Sequence, residues 1–418
     1  MIKRTLYHAL QRHLDQKEIS LLVGPRQAGK TTLMLALKRE LERRQQKTMY
    51  LNLDIEADKE HVISQARLVK KIELAIGRQS GYVFLDEIQR KQDAGAFLKG
   101  LYDMRLPYKL VVSGSGALEL KEKIHESLAG RKRVFELLTL SFEEFLHART
   151  GYHYEGRLAD FLAVERTKTK ELLDEYLRFG GYPRVADESV AAEKKEIIKE
   201  IYQSYLEKDI TALLQVKKTE AFTRFVKVAA SQIGRLTKFS EMSATLGLAE
   251  QTIRDYFWYL EKTFIVDKVT PFHTNVRKEL TKAPVFYFLD LGLRNYALDI
   301  FGAASLPQDA GYVFQNFVFR ILKEKLQDTA AGLHFWRTAD GAEVDFVIHS
   351  GDTLVPMEVK YQALTEPRIP RSLTSFISRY RPARAYLVNL ELAKEVRYEA
   401  TTIIVLPFDQ LLVQKILS

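Results

Sequence analysis

Residues 18–32 read EISLLVGPRQAGKTT, and this stretch decides the fold of the N-terminal third. EISLLV is a short apolar strand, and Gly24-Pro25-Arg26-Gln27-Ala28-Gly29-Lys30-Thr31 matches G-x-x-x-x-G-K-[ST] at every fixed position. A helix-like run, TLMLALKRELERR, follows at once. Strand, glycine-rich loop and helix in that order predict a P-loop. Gly24 and Gly29 let backbone N–H groups turn toward phosphate oxygens, and the helix N-terminus adds the positive end of its dipole. Lys30 is expected to reach the β- and γ-phosphates of ATP and the Thr31 hydroxyl to ligate Mg2+, with residues Gly24 to Thr32 cradling the nucleotide.

Residues 82–88, YVFLDEI, read as a buried strand ending in two carboxylates. Asp86 is expected to hold Mg2+, directly or through water, and Glu87 to polarise an attacking water, which points to hydrolysis. A third strand, LVVSGSG (110–116), offers Ser113 or Ser115 to position the water or sense the γ-phosphate, with Ser115 assigned to the nucleotide site. Arg131 and Arg133 precede another strand-like run, VFELLTL. Arg131 is the preferred catalytic guanidinium, in its own site or in a neighbouring subunit's, the second of which implies a homo-oligomer.

GPRQAGKTT, FLDEIQR, SGS and AGR…LLTLSFEEF together resemble the bacterial and archaeal AAA-type ATPases that carry a C-terminal domain of unknown function. GGYPRVA (180–186), YLEKDI (205–210) and FLDLGLRNYAL (288–298) extend the resemblance almost end to end. It implies an α/β multidomain chain: a P-loop core over 1–150, a helical lid over 151–220, a winged-helix-like unit over 221–300 and a C-terminal domain over 301–418. The lid and the winged helix also follow from pattern. TKELLDEYLRF is helical, and short helices around Gly247 lead to EQTIRDYFWYLEKTF and a β-like ribbon, FIVDKVTPF. That candidate recognition helix sets Glu250, Asp255 and Glu261 against Arg254 and Lys262, and its aromatic run suits packing better than base edges.

In the last third, Glu343 and Asp345 alternate on one strand, Ser350-Gly351-Asp352 offers a hairpin turn, and Glu358 and Lys360 share a face of the next strand. Two acids and a lysine brought together in this way make a divalent-metal site beside a cation. The D…E-x-K order resembles the PD-(D/E)XK nuclease core. By that resemblance Asp345 and Glu358 bind Mg2+, and Lys360 positions the water or stabilises the pentavalent phosphate. An acid on the preceding helix is replaced here by Gln315, a weaker ligand and no base. Arg368, Arg371, Arg379, Arg381 and Arg384 follow with no acid between Glu366 and Glu391, a run that fits a phosphate backbone.

The composition is compatible with this reading without demanding it. The 418 residues allow two to three domains at roughly 150 residues each. The net charge of +9 is mild, and the absence of cysteine excludes disulfides and thiolate metal sites, leaving oxygen ligands for any metal. No run of about 18 apolar residues predicts a membrane span, and no signal peptide is evident, so a cytoplasmic protein is expected. The expected function is an ATP-hydrolysing protein acting on nucleic acid through its nuclease-like domain, with DNA the expected partner. The alternative is an ATP-dependent signalling or scaffold switch that binds a protein partner through a degenerate C-terminal domain.

Overall fold

The computed structural model describes residues 2–115, 128–205, 219–272, 283–303, 309–338 and 340–417. Residues 206–210 of the YLEKDI motif and Gly116 lie outside the described residues. Two sheets organise the molecule.

The first sheet holds β1 (Ile19–Gly24), β2 (Thr48–Asn52), β3 (Gly81–Asp86), β4 (Tyr108–Ser115) and β5 (Lys132–Glu136), in the order β2-β3-β4-β1-β5. All its pairings are parallel. A parallel sheet is covered on both faces, so its strands read as continuous apolar runs rather than alternating ones. β1 illustrates this, with all six residues buried: Ile19, Leu21 and Val23 enter one hydrophobic cluster and Leu22 the other. Each such aliphatic side chain removed from water contributes roughly 1.5–3 kcal/mol. Because the strands run the same way, the C-terminal ends of β1, β3 and β4 gather at one edge. The phosphate loop, Asp86 and Ser115 all lie there.

Residues 158–204 are helical as expected, with helices Leu158–Val164, Arg166–Phe179, Pro183–Asp187 and Ala191–Ser204. Helices Thr219–Ser231, Phe239–Leu246 and Glu250–Lys262 follow, the last two joined through Gly247 at φ +65°. Tyr256 and Phe257 of the third helix's aromatic run are buried in packing. Tyr256 meets Phe222 and Phe225 edge-on, and Phe257 stacks on Phe286 at 4.0 Å.

The ribbon after this helix is not a free wing. β6 (Val266–Pro271) pairs antiparallel with β7 (Val285–Phe288) along its first half, and through Thr270 and Pro271 it pairs parallel with β8 (Gly332–Arg337). β9 (Glu343–Ser350), β10 (Thr353–Val359), β11 (Arg384–Asn389), β12 (Lys394–Tyr398) and β13 (Thr401–Pro407) complete an eight-stranded mixed sheet. This sheet therefore runs across residue 300. Ser350 faces Thr353 across the Gly351-Asp352 turn, the hairpin that the sequence leads one to expect.

The helix Ala310–Leu326 joins the two halves. Its Phe317 meets Phe142 edge-on at 5.1 Å and Tyr176 at 6.0 Å. One hydrophobic cluster accordingly extends from Ile19 through Phe142 and Phe317 to Phe346.

Candidate functional site

The phosphate loop leaves β1 at Gly24, whose φ is +155° and whose absent Cβ would lie 2.0 Å from the Leu137 carbonyl oxygen. Only glycine fits that close approach. Gly29 caps the Lys30–Arg43 helix in the left-handed region at φ 96°, and the first turn contains no acid to repel an anion. Lys30 is 5% exposed, and its Nζ donates to the carbonyls of Gly24 at 3.0 Å and Pro25 at 2.7 Å, across the mouth of the loop. Arg4 ties the loop from outside, donating to the carbonyl of Ala28 at 2.8 Å and to Glu144 at 2.9 Å.

Asp86 ends β3 fully buried. Its Oδ2 accepts from Thr31 Oγ1 at 2.6 Å and Tyr50 Oη at 2.7 Å, and its Oδ1 accepts from Ser113 Oγ. Burial, with the Asp86 carboxylate beside it, raises the Tyr50 phenol above its usual range, so Tyr50 stays a donor. Thr31, Tyr50 and Ser113 thus meet around the Asp86 carboxylate, while Lys30 bonds the carbonyls of the loop. Glu87 turns away from the strand in the left-handed region at φ 57°, a conformation costing on the order of 1–3 kcal/mol outside glycine. Its carboxylate accepts from Gln89 Nε2, which also donates to Ser115 Oγ at 2.8 Å.

Two arginines, Arg131 and Arg184, stand differently toward the loop. Arg131 sits before β5, where its carbonyl accepts from the Ile19 amide and its Nε bonds Asp103 at 2.8 Å. That is the opposite end of β1 from Gly24, about five residues or roughly 17 Å away at 3.3 Å per residue. Arg131 therefore does not reach the phosphate loop of its own chain. Arg184, which carried no role in the sequence reading, does reach that loop. It donates to Gln27 Oε1 at 3.1 Å, and its other partner, Glu200, lies at 3.2 Å. The GGYPR motif was a signal for it, but nothing in the motif says which loop it meets.

The same motif reveals a second role. Asp290, buried at 5% exposure, accepts from the Gly181 amide at 2.8 Å and caps Leu293 at 2.9 Å. Asn295 donates to the Leu177 carbonyl at 2.9 Å. A Cβ at Gly180 would lie 2.3 Å from Asp290 Oδ1, and one at Gly292 would lie 2.1 Å from the Phe179 carbonyl oxygen. GGYP and FLDLGLRN are therefore two halves of one joint between the Arg166–Phe179 and Leu291–Ala297 helices.

The C-terminal acids converge as their spacing suggests. Met357 pairs with Phe346, so Glu358 stands opposite Asp345 on adjacent antiparallel strands. Asp345 Oδ1 accepts from Gln315 Nε2 and Oδ2 from the Val359 amide, both at 2.8 Å. Lys360 Nζ donates to Glu358 Oε1 at 2.7 Å, while Glu358 Oε2 is buried with no partner among the described residues. Burial, then the repulsion of Glu358, pushes Asp345 well above the usual carboxylate range. Burial also raises Glu358, against the pull of Lys360. Facing buried carboxylates with an orphaned oxygen suit a divalent cation, which would supply the missing charge. Glu343 stands aside, paired with Arg337 at 2.9 Å. Among the described residues no cluster of three or more His, Asp or Glu is arranged for a metal, so the donor set is two carboxylates beside an amide. The five arginines from Arg368 to Arg384 are all exposed, around a helix (Arg371–Tyr380) that packs through Leu373, Phe376 and Ile377.

Among the described residues no helix is long and apolar enough to cross a membrane. A family model described as an AAA domain matches residues 16–146, and models of two domains of unknown function match 170–304 and 310–411. The chain is 27% identical over 417 residues to the uncharacterised protein Rv2008c of Mycobacterium tuberculosis, covering 96% of this chain and 83% of that one. An uncharacterised protein of Haemophilus influenzae is 25% identical over 378 residues, covering 87% of each. Among solved structures, the Aeropyrum pernix ORC1 protein in complex with DNA aligns at 13% identity and a TM-score of 0.31, over 70% of this chain and 91% of that one. AMPPCP-bound DnaA from Aquifex aeolicus aligns at 13% identity and 0.26, over 62% and 86%. Over residues 16–146, the stretch that holds the phosphate loop and the five-stranded parallel sheet, the chain matches the model described as an AAA domain.

Proposed function

We propose that this chain is a Mg2+-dependent ATPase of the AAA type, with a C-terminal domain directed at nucleic acid. The observation that carries the reading is the 2.6 Å bond between Thr31 and Asp86 at the foot of the Gly24–Thr31 loop. A hydroxyl and a carboxylate so placed are the oxygen donors Mg2+ prefers, and the ion when bound would neutralise phosphate charge. Thr31 and Asp86 would hold it. Lys30 would exchange its loop carbonyls for β- and γ-phosphate oxygens, and the amides from Gly24 to Thr32 would bind the remaining oxygens. Glu87 would orient the attacking water, with Ser115 beside it. Arg184 would approach the nucleotide from the lid. Arg131 would act only in a neighbouring copy, which makes an oligomer part of the proposal.

For the C-terminal domain the reading is a PD-(D/E)XK-like site in which Asp345 and Glu358 hold Mg2+ and Lys360 supports the reacting phosphate. The facing carboxylates and the Lys360 contact support it. The exposed arginines from Arg368 to Arg384 would track a phosphate backbone. The three helices with their ribbon would act as a structural winged helix, since the third helix spends Tyr256 and Phe257 on packing.

A second reading, an ATP-dependent switch with a protein partner, is favoured by one contact. Gln315, which stands where an acid would complete the site, donates its amide to Asp345. ATP hydrolysis measured with and without single- and double-stranded DNA separates the two, together with nucleic-acid cleavage in Mg2+ or Mn2+. The nuclease reading expects DNA-stimulated hydrolysis and cleavage that Lys360→Ala abolishes. Hydrolysis indifferent to DNA, with no cleavage and no DNA binding at low salt, overturns it in favour of the switch.

A further inference from the structure

Gln89 lies between the two groups that would handle the attacking water, and neither strand carries it. β3 ends at Asp86, Glu87 takes its left-handed turn, and a single 3-10 turn, Ile88–Arg90, follows. That turn is fixed from both sides. Ile88 is fully buried in the core, and Arg90 pairs with Asp54 at 2.7 Å. Gln89 is thereby sent back across the end of the sheet. Its Nε2 donates to Glu87 Oε2 and, at 2.8 Å, to Ser115 Oγ. Its Oε1 is buried with no hydrogen-bond partner among the described residues, so the nitrogen makes both bonds. Ser115 in turn pairs with Gly24, the first residue of the phosphate loop.

The left-handed backbone at Glu87 would leave a free carboxylate several rotamers to choose from. An amide with both hydrogens committed selects one, and the same amide anchors that choice to the end of β4. We propose that Gln89 is the positioning residue of the ATPase site: it holds the Glu87 carboxylate against Ser115, so that the water-polarising group is in place before nucleotide arrives. This rests on the ATPase reading above. Gln89 does not touch phosphate or metal in this role; it acts through Glu87.

The test is MgATP hydrolysis by the full chain carrying Gln89→Leu, Gln89→Glu or Ser115→Ala, each also in a Glu87→Gln background. Binding of a nonhydrolysable ATP analogue is measured alongside. Outer groups that orient a reacting group are typically worth about 10–100-fold. Gln89→Leu is expected to lower kcat by roughly that factor while KM and analogue affinity stay within about threefold. Gln89→Glu, which keeps the shape but sets like charges together, is expected to lose at least as much. In the Glu87→Gln background Gln89→Leu is expected to cost nothing further, because residues acting through one group are not additive. Ser115→Ala is expected to give a smaller loss of the same kind, and it keeps the test decisive if a Gln89 variant fails to fold. Unchanged or raised kcat in the Gln89 variants, or a full additional loss in the Glu87→Gln background, overturns the assignment alone. Absence of hydrolysis by the wild-type chain overturns the ATPase reading and the assignment with it.

Discussion

At the end of β3, Asp86 receives hydrogen bonds from Thr31, Tyr50 and Ser113, three hydroxyls from three different elements. At the β9–β10 hairpin, Asp345 and Glu358 face each other instead, with an amide, a backbone N–H and one lysine between them. The first site buries one carboxylate, and the second buries two on neighbouring strands. The difference is in how the charge is met. Hydroxyls can turn from the carboxylate to a metal's water shell without leaving an unpaired charge. Two opposed carboxylates already repel, and burial makes ionisation costly. The first arrangement is complete as it stands, whereas the second acquires its balance only with a cation or a proton.

The largest expected effect separates the sites by nucleotide. Lys30→Ala removes a charged donor from the phosphates, a contact worth roughly 1.5–3 kcal/mol per hydrogen bond. Affinity for a fluorescent ATP analogue should fall about a hundredfold, a figure near 2.7 kcal/mol at 1.36 kcal/mol per decade, while Mn2+ binding at the C-terminal pair is unchanged. A parallel loss at both sites would break the comparison.

The next effect is the pH dependence of stability, followed by chemical denaturation in EDTA. Asp345 and Glu358 both have folded-state values raised above their unfolded ones. The folded chain therefore binds more protons than the unfolded chain between those values, and stability falls as pH rises through that window. Below the unfolded values the penalty vanishes. Asp345→Asn should flatten this slope above about pH 4, the ordinary carboxylate range. Mn2+ should restore wild-type stability at neutral pH, by about 2.7 kcal/mol at a hundred times its Kd, and leave the variant unmoved. A wild-type chain indifferent to both pH and metal would remove the basis for the contrast.

The smallest effect belongs to Arg184, whose side chain is about half exposed and whose ion pair with Glu200 is correspondingly weak. Exposed pairs contribute about 0.2–1 kcal/mol, so Arg184→Ala should change stability little. Its signature is a several-fold rise in KM for ATP, because its second contact is with the phosphate loop.

The legible parts of the molecule share one property. Gly24 to Thr32 is a local pattern in which spacing alone places the glycines, the lysine and the helix N-terminus. The same holds for Glu358 and Lys360, two apart where β10 ends, and for the Gly351-Asp352 turn. Arg131 failed to reach its own loop for the opposite reason. Its distance from Gly24 depends on the direction of β5 relative to β1, and no local spacing encodes that. Gln89 carried no role in the sequence reading, and its bond to Ser115 spans 26 residues. GGYP and FLDLGLRN were visible as motifs, yet each is half of a contact whose other half lies more than a hundred positions away.

From its sequence alone this chain had a phosphate loop, an acidic strand end behind it, and two acids with a lysine on a later hairpin. Those follow from periods of two and 3.6 residues and from glycines where no side chain fits. Tertiary structure alone decided that Tyr50 and Ser113 share Asp86 with Thr31, and that Arg184 rather than Arg131 stands at the loop. It also set Gln315 against Asp345 and drew the ribbon after the third helix into the eight-stranded sheet. Those outcomes depend on which strands pair and in which direction, and that is determined by the burial of the whole core, not by any one segment of it.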